Sequence, residues 1–68
     1  MAIIVKGSRV KVRTAGGSLL EKVALSGPQR GSDIEVIWVC RPEEWEAAER
    51  EARDPDCVPW PSDAVVAA

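Results

Sequence analysis

Residues 34–40 (Ile34, Glu35, Val36, Ile37, Trp38, Val39, Cys40) are almost continuously apolar and rich in β-branched side chains. A run of that length and composition predicts a central strand with both faces covered. Arg41 and Pro42 follow, and then the period changes. Trp45, Ala48 and Ala52 fall on one helical stripe, with charged residues between them. The spacing predicts a helix over residues 42–53. Pro42 suits its first position, where no amide hydrogen is needed. Glu43, Glu44 and Glu46 come early and Arg50 and Arg53 late, an order that complements the helix dipole. Glu46–Arg50 and Glu49–Arg53 have the spacing of favourable i,i+4 ion pairs. The small alanines let the helix lie close to a sheet, and Asp54–Pro55 stops it.

The flanking segments read as short strands around this strand and helix. Residues 2–5 form an apolar run that suits an opening strand, and residues 6–8 a turn. Residues 9–14 alternate: Val10 and Val12 take one face, Arg9, Lys11 and Arg13 the other. That is a half-buried strand with a cationic outer face. Residues 15–18 turn on Gly16 and Gly17. Residues 19–25 form the next strand, in which Leu19, Glu21, Val23 and Leu25 share a face. The pattern is broken by the charge, and a bulge near Glu21 resolves it. Residues 26–33 make a polar loop with Gly27, Pro28 and Gly31, the longest exposed connection and a candidate contact segment. Residues 57–61 carry Pro59 and Pro61 and belong on a sheet edge. Ser62 and Asp63 cap a single helical turn, residues 64–66 form a last strand, and residues 67–68 fray.

Sixty-eight residues make one small domain, 1–68, which buries only about 60% of the surface its unfolded chain exposes. The hydrophobic fraction of 46% is that of a globular protein, not a disordered one. No apolar run approaches the ~20 residues that cross a bilayer, and the first residues lack the basic lead and cleavage site of a signal peptide. The expectation is a cytoplasmic protein with no membrane partner. The composition fits a cellular, phage or mobile-element origin alike.

The strand order, a prolyl turn and a single helical turn before the last strand resemble a small SH3-like β-barrel. The front end, Gly7-Ser8-Arg9-Val10-Lys11-Val12-Arg13-Thr14-Ala15-Gly16, is similar to the KOW and Tudor-like pattern in its glycines and paired valines. The later Gly-x-x-Gly-x-Val of a KOW motif is absent. So is the tyrosine cluster of a peptide-binding SH3 groove. The resemblance implies a mainly β fold, a barrel of about five strands with one helix before the last strand, and no activity. The alternative is an open antiparallel sheet with the helix packed across one face.

Enzyme chemistry finds little purchase. The chain has no His, so Ser–His and Cys–His nucleophiles are excluded. Two Cys without His cannot complete a zinc site in one chain. No phosphate-binding glycine loop is present, and the helix carboxylates read as a solvated acidic face. No enzyme activity, cofactor or metal is expected. Cys40 and Cys57 flank the helix. The chain leaves by roughly 18 Å along the helix and can return about 14 Å, so a bridge is just within reach. Two free thiols are the simpler reading.

Charge is the strongest functional hint. Residues 1–32 hold Lys6, Arg9, Lys11, Arg13, Lys22 and Arg30 against Glu21 alone, while residues 33–68 hold three arginines against ten acids. Two functions follow. The first is a protein-interaction or self-assembly module using Trp60 and Trp45, because Trp is enriched at interface hot spots. In self-association, the basic strand of one copy would meet the acidic helix of another. The second is a nucleic-acid-binding barrel using Arg9, Lys11 and Arg13, extended by Lys22 and Arg30.

Overall fold

The computed structural model describes residues 4–31 and 33–67. In order they form β1 (Arg9–Arg13), β2 (Leu19–Ala24), β3 (Gln29–Arg30), β4 (Glu35–Cys40), α1 (Pro42–Glu51), β5 (Val58–Pro61), a 3-10 turn (Ser62–Ala64) and β6 (Val65–Ala67). All strand pairs are antiparallel: β1 with β2 and β6, and β4 with β2, β3 and β5. Val36 pairs with both Gln29 and Pro61, and Val39 with both Ala24 and Val58. So β2 and β3 share one edge of β4, and β5 takes the other.

The expected closed SH3-like barrel is not formed. The sheet is open and strongly curled, a half-barrel with one helix over it, closer to the open-sheet alternative. Among the described residues β6 pairs only with β1 and β5 only with β4. Proline chemistry accounts for the gap. Pro59 and Pro61 have no N–H to donate, so the donors of β5 toward β4 are the amides of Val58 and Trp60. The open side of β5 is left with two donorless positions and offers β6 no ladder. The KOW- and Tudor-like resemblance of the front end therefore reaches no further than a glycine turn and one alternating strand.

The core sits inside the curl. Val10, Val12, Ala24, Ile37, Val39 and Val65 are buried there, with Ile4 and Trp60 packed against them. Register explains the membership, since directly opposed residues share a face: Val12 opposes Val65, Ala24 opposes Val39, and Ile37 opposes Trp60. A second, smaller cluster lies on the other face. Val23 opposes Cys40, and both are buried, as is Ala48 of α1, which packs over β2. β4 is thus buried on both faces only at its Cys40 end; on the helix side Val36 and Trp38 are half-buried, less covered than its apolar run predicts.

Several boundaries differ from expectation. α1 ends at Glu51, because Ala52 adopts a left-handed conformation (φ 53°, ψ 44°). The Ala52 amide donates to Glu49 and the Arg53 amide to Ala48, a Schellman closure with Ala where Gly is usual. Arg53 therefore leaves the helix, and neither i,i+4 pair forms. No bulge occurs at Glu21, since β1 and β2 pair without interruption from Arg9↔Val23 to Arg13↔Leu19. The 26–33 loop contains β3, and Ser32 lies outside the described residues. Ile34 precedes β4 rather than opening it. The opening strand expected over residues 2–5 falls partly outside the described residues, and Ile4 and Val5 are not in a strand. β6 runs to Ala67, and Ala68 lies outside.

Candidate nucleic-acid interface

β1 sorts its side chains by parity. Val10 and Val12 are 0% exposed, while Arg9, Lys11 and Arg13 point outward and are exposed. The strand is held on both sides, by β2 and β6, so the three cations ride on a paired backbone. By register their face also carries Leu19, Glu21 and Val23 from β2 and Val66 from β6. Leu19 and Val66 are 53% and 43% exposed, an aliphatic flank on either side of the cations. Glu21, opposite Lys11, is the one acid among these strand positions, and it accepts a 3.2 Å bond from Arg9. Both partners are more than half exposed. Such a pair is worth about 0.2–1 kcal/mol, too little to commit Arg9 against a competing anion. Among the described residues, Lys11 and Arg13 form no ion pair.

Lys22 and Arg30 do not extend this stripe. Lys22 opposes the buried Val10, and Arg30 opposes Glu35, which shares its parity with Ile37 and Val39. Both belong to the opposite face. Lys22 lines a cleft with Cys40, Arg41, Glu44, Asp56 and Cys57, where two acids and a second cation share the lining.

The tryptophans are structurally engaged. Trp60 is half-buried against the core, and its Nε1 donates to the Arg13 carbonyl at 3.2 Å. Trp45 is also half-buried. Its ring lies over the Lys6–Gly7 turn, where a Cβ on Gly7 (φ +91°) would sit 3.7 Å from it.

One cluster escaped the sequence reading. Glu44, in the first turn of α1, accepts from Arg53 Nη1 at 2.6 Å and from the Asp56 amide at 2.9 Å. These bonds, the Arg53 guanidinium first, hold its carboxyl down at about 2. The Glu44 carboxylate, and after it Glu51, which accepts from Arg53 Nε at 2.9 Å, hold Arg53 above its already high range. The signal was present in Asp54–Pro55: a chain turned sharply after a helix returns along it.

Among the described residues no three His, Cys, Asp or Glu side chains are placed to hold a metal ion. No helix there is long and apolar enough to cross a membrane. No family model, curated protein or solved structure matches this chain.

Proposed function

We propose that this protein is a non-enzymatic, cytoplasmic nucleic-acid binder that contacts phosphates through the outer face of β1. The observation that carries the reading is the segregation on β1: three exposed cations alternate with two fully buried valines, and one weakly held acid faces them. Phosphate contact needs fixed positive charge at an accessible surface and nothing else. The overall charge of −2 is unevenly spread: ten of the eleven acids lie in residues 33–68. Five of them are on α1, which packs over β2 on this same face, while Glu21 is the one acid among the β1, β2 and β6 positions beside the cations. With no aromatic side chain among the β1, β2 and β6 positions of that face, binding is weakly selective and electrostatic.

The test is a titration of labelled single-stranded and duplex oligonucleotides at about 50 mM salt, where electrostatic affinity is high. Three phosphate contacts give a slope of log K against log salt near −2 on single strands and near −3 on duplex. Arg9→Glu, Lys11→Glu and Arg13→Glu together should abolish binding while leaving the fold intact. No binding by the unaltered protein at that salt overturns the reading. A salt-sensitive dimer without oligonucleotide would instead assign the face to the acidic helix of a second copy.

A further inference from the structure

β4 and β5 pair at Val36↔Pro61, Ile37↔Trp60, Trp38↔Pro59 and Val39↔Val58. One step further along the same register stand Cys40 and Cys57. Both are free thiols, one buried and one half-exposed, and both line the same cleft. The prolines fix what kind of step this is. Antiparallel ladders alternate hydrogen-bonded and non-hydrogen-bonded pairs. Trp38↔Pro59 and Val36↔Pro61 must be non-hydrogen-bonded, because proline has no donor. Cys40↔Cys57 has the same parity. Pairs of that kind bring Cα atoms to about 4.5 Å with side chains on one face, inside the range that a disulfide spans. The ladder stops just short of them because the Asp56 amide, which would continue it, donates to Glu44 instead. The pair therefore sits at a strand end where the backbone has room to adjust.

We infer that Cys40 and Cys57 are a cross-strand redox site that closes to an intramolecular disulfide by exchange with a low-molecular-weight disulfide. Cys57, the accessible thiol, attacks one sulfur of the small disulfide as its thiolate. One small thiol leaves and a mixed disulfide forms on Cys57. The Cys40 thiolate then attacks the Cys57 sulfur and expels the second small thiol. Two protein thiols are oxidised, one small disulfide is reduced to two thiols, and the two protein protons end on those thiols. The Cys40 thiol is pushed up by burial first and next by the charge of Cys57. Burial makes Cys40 the slower, resolving partner. In a reducing cytoplasm the pair stays open. Closure ties off the loop that carries α1 and clamps the helix between β4 and β5.

The experiment equilibrates the full chain with mixtures of oxidised and reduced glutathione, quenches with an alkylating agent, and reads intact mass and peptide map. The expected product is a monomer that has lost two hydrogen atoms and carries a Cys40–Cys57 cross-link. Its thermal midpoint should rise by roughly 10–20 °C. By linkage, the native chain should hold the bridge at a glutathione ratio about a hundredfold more reducing than the chain in denaturant. Cys40→Ala should instead accumulate a glutathione adduct on Cys57. Full alkylation of both thiols in excess oxidised glutathione overturns the inference. So does a persistent adduct on Cys57 of the unaltered chain, or a bridge that joins two chains.

Discussion

The indole Nε1 of Trp60 donates to the carbonyl of Arg13 at 3.2 Å, joining β5 to the far end of β1 across the opening of the sheet. The same residue, Arg13, presents its guanidinium outward on the candidate interface. Trp60 therefore anchors from inside the strand end that displays a cation outside. Trp60→Phe keeps most of the apolar contact and removes the donor. It should cost about 1 kcal/mol in urea unfolding, the net worth of one hydrogen bond. Oligonucleotide affinity should change less than it does in Arg13→Glu.

Glu44 makes stability depend on acid. Its carboxyl is held down at about 2 in the folded chain, against an ordinary value of 4.5. A lowered folded value contributes stability that is fully present above the ordinary value and lost as pH falls toward the folded one. Urea midpoints should therefore drop as pH is lowered from about 4.5 toward 2. Glu44→Gln should begin lower at neutral pH and show a flatter profile through that window.

Ala52 holds a left-handed conformation that L-residues with a Cβ resist. Ala52→Gly relieves that strain at the Schellman closure. A gain of about 1 kcal/mol is expected in chemical denaturation, with the helix content by circular dichroism unchanged.

The core should report its own boundaries. Ile37 is 1% exposed inside the curl, and Ile37→Ala should cost about 2–5 kcal/mol through lost burial and the cavity left behind. Leu19, of similar size but 53% exposed, should lose no more than about 0.5 kcal/mol as Leu19→Ala. A larger loss at Leu19 than at Ile37 would place the sheet faces the other way round.

Much of this architecture is legible in local patterns. The alternation of Arg9–Arg13 states which side chains face out, and the apolar run ending at Cys40 marks a central strand, fully covered on one face and on the other only at Cys40. Pro42 marks the helix start. Features that depend on register across the sheet are not written locally. The prolines of residues 59 and 61 predict an edge, but the open barrel follows only once their parity toward β4 is known. The end of α1 is not written in the sequence because Ala52 carries no glycine signal. Charge alone places Lys22 with the other cations, whereas its register against Val10 puts it on the opposite face. The spacing of Cys40 and Cys57 leaves a bridge just within reach, and the register of β4 and β5 sets the two residues one step beyond Val39↔Val58.

The pairing of β1 with β6 joins Val10 to Ala67 and Val12 to Val65. The first described strand thus completes its pairing with the last described one, only once residues 65–67 have been made. Until then Val10 and Val12 have a neighbour on one side only. Closing so long a loop costs entropy before any contact repays it, so folding should be slow for a protein of this size. On a translating ribosome, β1 and β2 can form their hairpin early, but the core cannot be sealed until Val65 has emerged.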